Sequence, residues 1–344
     1  MPARESPLKH RALLWAVALL LAALALLALG LLVGSTGLEA VWQSRLDAAA
    51  WQIVWDIRLP RTLGAWATGA LLGLAGAVAQ GLFRNPLADP FLLGSASGAA
   101  LGVALMLALF GSAEVASGAL SSTWPLQVGL TGAGFLGAVA GVLLTLLLAQ
   151  GVQHTLRLLL AGVIVGVVLG AVKDLVALAA PAILQSMQAF ALGSTGFIGW
   201  SACAVLLAVL FPCLALAWAL SRVLDGLALG EATAQSLGLV LAPMRAALVG
   251  VLALATGTAV AQTGLIAFVG LAAPHLVRAV VKSTHNHLLV LSALMGGVLL
   301  MAADILARWL IAPQELPVGV MTAVLGGSYL LWLMHRRRPG ALMP

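Results

Sequence analysis

RLPRTLGAWATGALLGLAGAVAQGLFRNPLADP, residues 58–90, decides the fold. No charged residue lies between Arg61 and Arg84. Such a run suits a helix through the roughly 30 Å hydrocarbon core of a bilayer, which takes about 20 apolar residues. Pro60 is well placed in a first helical turn, so a span is predicted over 60–82. Arg58 and Arg61 then stand at its mouth, and the polar block FRNPLADP (83–90) closes its far end.

The rest of the chain repeats this pattern. Of its 344 residues 62% are hydrophobic and 8% charged, with a mean hydropathy of +1.11. A soluble domain of that composition would expose large apolar patches. The fold class is therefore an all-α polytopic membrane protein, one transmembrane domain over residues 1–344 with no room for a soluble one. Hydropathy and charge punctuation place about ten spans, at 12–34, 60–82, 91–110, 125–148, 158–180, 198–220, 243–262, 265–281, 288–309 and 319–334. Residues 12–33 form a run too long for the apolar region of a signal peptide, which makes it an uncleaved first span. Cys203 and Cys213 sit in one span about 15 Å apart along a helix, too far for a disulfide.

An even number of spans puts both termini on one side, and positive charge selects the cytoplasm. The inner set is Arg4, Lys9, Arg11, Arg84, Arg157, Arg222, Arg245, Arg278, Lys282 and Arg336 to Arg338. Arg45, Arg58, Arg61, Lys173 and Arg308 fall on or near the outer face, against the usual bias. An outer arginine can simply snorkel to headgroups, which serves for Arg45. Arg58, Arg61 and Arg308 together suit an acidic protein partner, through charge-assisted contacts to carboxylates.

Small residues recur at four-residue intervals: Gly69, Gly73, Ala77 and Gly81; Gly94, Gly98 and Gly102; Gly162, Gly166 and Gly170. Such stripes let helix backbones approach closely, and bundle packing is their reading here.

Several chemistries are excluded. The lysines are Lys9, Lys173 and Lys282, and none follows a glycine, so no P-loop can be written. GSASG (94–98) carries Ala96 where a nucleophile elbow needs serine. His285 and His287 flank Asn286 in a polar loop without cysteine or carboxylate nearby, and His275 follows Pro274 at an expected kink. Lys173 and Asp174 lie in the outer half of the fifth span, where charge is costly and defaults to function. Neighbouring positions point about 100° apart, so they are predicted not to pair; they reach the outer interface or line a wet path. LDGLALGEATAQSLGLVLAP (224–243) is too polar to span, and its apolar positions recur at helical spacing. Short helices on the cytoplasmic face, meeting a soluble partner, are expected there.

Four stretches carry a family resemblance: residues 58–102, LGEATAQSLG, GLIAFVGLAAPHLVR and ADILARWLIAPQELPVGVMTAVLGG. They resemble the FecCD-type permeases of ABC importers for iron-siderophores, haem and cobalamin, across nearly the whole chain. The resemblance implies a type II importer architecture in the bacterial inner membrane, with both termini cytoplasmic. It implies a homodimer carrying two cytoplasmic ATPase subunits and one periplasmic binding protein, and no nucleic acid. No cofactor is expected on this chain, ATP and Mg belonging to the ATPase. By the same resemblance Arg58, Arg61 and Arg308 hold acids of the binding protein. Gly230, Glu231, Ala232, Thr233, Ser236, Leu237 and Gly238, within coupling helices about 224–242, meet the ATPase. Gln150, His154 and Arg157 correspond to an inner gate, and Lys173 and Asp174 to the outer part of a path lined by the second and fifth spans. Ala232 and Gln235 depart from an acid and a base usual in the coupling segment, and GGSYLLWLM replaces the commoner ending. The first expectation for cargo is haem, whose propionates suit Lys173, ahead of cobalamin and ferric siderophores. An ion-coupled secondary transporter is the competing class, with Asp174 and Asp304 as the acids near its span interiors.

Overall fold

The computed structural model describes residues 7–34, 37–38, 48–110, 124–152 and 155–336. Arg45 and His154 lie outside them. The described chain is helical apart from a two-residue antiparallel pairing, β1 (Val33–Gly34) with β2 (Gly37–Leu38). Its helices are α1 (Pro7–Leu32), α2 (Ala48–Ile53), α3 (Leu59–Leu82), α4 (Ser95–Phe110), α5 (Trp124–Leu148), α6 (Thr155–Ala179), α7 (Leu184–Leu192), α8 (Trp200–Ala219), α9 (Ser221–Ala228), α10 (Glu231–Ser236), α11 (Leu241–Thr263), α12 (Val269–Val280), α13 (His285–Trp309) and α14 (Val318–Arg336).

Every predicted span coincides with one of these helices. Seven are long and apolar enough to cross a membrane, and the shorter apolar helices Ser95–Phe110, Val269–Val280 and Val318–Trp332 fill the third, eighth and tenth places. The eighth is short because Gly264 and Phe268 both adopt positive φ, which breaks the helix before Val269. At this break the Leu265 N–H finds a partner inside the protein, as a membrane interior demands: it donates to Phe190 C=O. Phe190 belongs to α7, a helix too short to register as a span.

The second span begins earlier than predicted. α2 runs through a π-helical turn, Val54–Arg58, directly into α3. Proline inside an α-helix clashes with the carbonyl four residues back. The wide turn ahead of Pro60 takes up that clash, so the helix continues where the sequence suggested a start.

α3 is the axis of the molecule, almost wholly buried between α1, α8, α11, α12 and α13. The first glycine stripe makes this possible. A Cβ on Gly69 would overlap the Gly296 carbonyl oxygen, and one on Gly296 the Gly69 carbonyl; Gly73 meets Ser292 C=O in the same way. Gly98 and Gly137 form the matching reciprocal contact between α4 and α5. The third stripe divides: Gly162 abuts Leu92 C=O, a Cβ on Gly166 would make ordinary contact with Ser97 Oγ, and one on Gly170 would enter open space. Leu71, Leu74, Leu206, Leu248 and Leu252 fill the gaps around this frame, and Cys203 and Cys213 are buried and unbridged.

Candidate functional site

Charged and polar side chains gather at the two ends of the bundle. At the first end, α13 offers Asp304, which is fully buried. Arg308, one helical turn on, donates through Nη2 to Asp304 Oδ2 at 2.7 Å. Arg61, from α3, places Nε and Nη2 on Asp304 Oδ1 at 3.2 and 3.1 Å. Thr195, in the connection between α7 and α8, donates its hydroxyl to the same oxygen. One carboxylate thus collects three segments distant in sequence, and a buried charge is tolerated only with such partners.

The remaining N–H groups of this end cap α1. The last carbonyls of a helix lack partners within it, and the C-terminus favours cations. Arg308 Nη1 donates to Gly30 C=O and Val33 C=O at 3.2 and 3.1 Å. Arg58 Nη1 donates to Leu31 C=O at 3.0 Å. The structure therefore brings Arg58, Arg61 and Arg308 to one end, as expected, but not onto one open surface. Relative exposure is 8% for Arg58 and 2% for Arg308. Arg61 alone of the three reaches an exposed loop, where Glu315 receives Nη1 at 3.1 Å and lies 2.9 Å from Nη2. A collar of tryptophans adjoins: Trp51 stacks on Trp55, and Trp200 Nε1 donates to Trp55 C=O at 3.0 Å. Such exposed indoles fit the level of lipid headgroups.

At the second end, the last turn of α3 presents Gln80, whose Oε1 accepts from Arg278 of α12 and whose Nε2 donates to Leu271 C=O. The block after it folds on its own side chains: Asn85 Oδ1 accepts from Leu87 N–H, and Asp89 Oδ1 from Phe91 N–H at 2.8 Å, capping the short turn Pro90–Leu93. Burial pushes the Asp89 carboxyl above its ordinary value, against the opposing pull of the Phe91 bond.

The polar stretch 224–243 forms two short helices, α9 and α10, joined through Gly230 and closed by Gly238, both at positive φ. Ala232, Thr233, Ser236, Leu237 and Gly238 are exposed along this edge. Glu231 turns back to the bundle: its Oε1 accepts from buried Arg245 at 2.6 Å, with Arg84 4.0 Å away. Next to it, Asp225 of α9 accepts from the backbone N–H of His285 at 3.0 Å and lies 2.6 Å from its Nδ1, fixing the start of α13. Arg157 donates to Gln150 at 3.0 Å in the α5–α6 connection.

Two expectations are corrected. Lys173 and Asp174 do pair, at 2.7 Å, because the long lysine stem bends sideways to the adjacent carboxylate at an exposed position. The second span cannot line a path between copies, since α3 is enclosed by helices of its own chain. α6 keeps an open apolar face, with Val163, Val167 and Leu178 exposed and open space beside Gly170.

The model of the FecCD transport family matches residues 19–336. The chain belongs to that family. Among its FecCD relatives, the hemin transport system permease protein HmuU of Yersinia pestis is 39% identical over 306 residues, covering 88% of this chain and 89% of its own. The vitamin B12 import system permease protein BtuC of Escherichia coli O9:H4 is 38% identical over 290 residues, 83% of this chain and 84% of its own. A solved metal-chelate type ABC transporter in an inward-facing conformation superposes with a TM-score of 0.82 at 28% identity, over 93% of this chain and 98% of that one. This FecCD protein is thus a multi-pass membrane permease of the ABC importer type.

Asp304 as the common anchor, Thr195, Glu315, and the Asp225–His285 pair were not identified from sequence. Asp304 and Arg308 are spaced i, i+4 on one apolar helix, a pairing signal that was readable.

Proposed function

We propose that this chain imports haem, as one half of a homodimer driven by two cytoplasmic ATPase subunits and supplied by a periplasmic binding protein. The 39% identity to HmuU over most of both chains carries this reading. The end of the bundle holding Arg61 faces the periplasm, and α9, α10 and both termini face the cytoplasm, in keeping with the distribution of basic residues. Arg61 leads the docking of the binding protein, with Arg58 and Arg308 setting the end of α1 beneath it. Gly230 to Gly238 meet the ATPase, while Glu231 and Asp225 carry movement of that surface into α11 and α13. A second copy packs near the open face of α6, and cargo passes between the copies, with Gln150, His154 and Arg157 at the inner exit and Lys173 and Asp174 at the outer mouth. No cofactor is assigned to the chain itself.

Cobalamin is the second reading, favoured by the 38% identity to BtuC. Competition among hemin, cobalamin and a ferric siderophore for ATP-driven uptake separates the two. Hemin as the transported species supports the first, and cobalamin taken up in its place overturns it.

A further inference from the structure

We infer that Glu315 is an internal stand-in for the carboxylate of a docking partner, holding Arg61 in a docking-ready pose until the partner displaces it. The inference rests on the docking role proposed for Arg61 and adds to it how that residue is kept ready.

Four groups form the core of the cluster. Asp304 binds both Arg61 and Arg308, and Glu315 binds Arg61 alone. Two guanidiniums thus face two carboxylates within this cluster. The two acids are not equivalent. Asp304 is fully buried, receives bonds from Arg61, Arg308 and Thr195, and sits on a rigid helix. Glu315 sits in the α13–α14 connection, with its side chain 32% exposed, and Arg61 is its ion-pair partner. Removing Asp304 leaves buried Arg308 without its counter-charge and frees the inner edge of Arg61; removing Glu315 opens only the solvent edge of Arg61.

A guanidinium offers five N–H donors in a fixed plane. Asp304 takes the inner edge of Arg61 through Nε and Nη2, and Glu315 the outer edge through both Nη atoms. The outer, two-point site is the geometry a partner's carboxylate would use. With Glu315 in place, an incoming acid would set three carboxylates against two guanidiniums, so it enters as Glu315 leaves. Glu315 meets water at this pair, and an ion pair open to solvent on one side is held weakly. Its loss should therefore change docking by about two- to fivefold.

The test uses the permease with its ATPase subunits in nanodiscs, as wild type, Glu315→Gln, Glu315→Asp and Arg61→Gln. Mass spectrometry follows p-hydroxyphenylglyoxal labelling of Arg61. Fluorescence titration follows docking of the labelled periplasmic binding protein of this importer. Glu315→Gln should label severalfold faster at Arg61 and bind the partner about two- to fivefold tighter. Glu315→Asp should fall between it and wild type, and serves if the glutamine variant does not assemble. Unchanged labelling in the Glu315 variants overturns the inference directly. Faster labelling with unchanged docking in Arg61→Gln overturns the docking role, and the inference with it. Weakened docking in Arg61→Gln together with unchanged or weaker docking in Glu315→Gln overturns the stand-in alone.

Discussion

His285 and Arg308 stand near opposite ends of one unbroken helix, about 35 Å apart along its axis. His285 is tied to Asp225, beside the short surface helices, and Arg308 to Asp304, beside the α1 terminus. Between these ties the same helix packs on α3 with glycine backbones in direct contact. A displacement at one end therefore moves α13 and α3 together. A close-packed interface of this kind switches between arrangements more readily than it deforms.

Asp304→Asn should destabilise the protein by about 3–5 kcal/mol, since Arg61 and Arg308 lose their shared buried counter-charge. Thr195→Val should cost about 1 kcal/mol, one hydrogen bond to the same oxygen. Thermal unfolding in detergent ranks the two. Equal effects would show that Asp304 is not the anchor of that end.

Gly296→Val and Gly170→Val form a matched pair. The first drives a side chain into the Gly69 carbonyl and should cost about 1–3 kcal/mol or prevent assembly. The second enters open space and should leave folding of the subunit unchanged. On the proposed dimer, valine at 170 would still weaken association of two copies, which size-exclusion chromatography with light scattering reads separately.

Glu231→Gln removes the charge that buried Arg245 holds at 2.6 Å, a loss of about 1.5–3 kcal/mol for a charge-assisted bond. If α10 transmits ATPase movement, hydrolysis should persist while its stimulation by the binding protein falls severalfold. Full stimulation in this variant would remove Glu231 from the coupling route.

Asp89 gives a pH dependence. Its folded-state pKa lies above the unfolded value, so the protonated form is the one folding favours. The contribution is full below the unfolded pKa and is lost as pH rises through the folded one. Asn caps as well as Asp and carries no charge. Asp89→Asn should therefore be the more stable protein at pH 7 and match wild type below about pH 4. Identical melting curves at pH 7 would show that burial does not disfavour this carboxylate.

The fold was legible because apolar runs bounded by charge mark spans, and each predicted span coincided with a helix. Boundaries failed where local geometry overrode the pattern: the π turn before Pro60 extended the second span, and Phe268 shortened the eighth. The site was half legible. Arg58, Arg61 and Arg308 stood out as charges against topology, yet their burial depends on Asp304, Thr195 and the α1 carbonyls, which only folding brings together. Residues 184–192 are too few to span, so hydropathy does not mark α7, whose Phe190 C=O accepts the Leu265 N–H at the break. Lys173 and Asp174 were misjudged because helix angles constrain Cβ directions, whereas a lysine stem is long enough to turn.

The most direct measurement is uptake into proteoliposomes holding the permease with its ATPase subunits, supplied with loaded binding protein and ATP inside. Expected is ATP-dependent accumulation of hemin that unlabelled hemin competes away and that excess cobalamin and ferric siderophore leave in place. Accumulation of cobalamin or siderophore with no movement of hemin would contradict haem import by this chain.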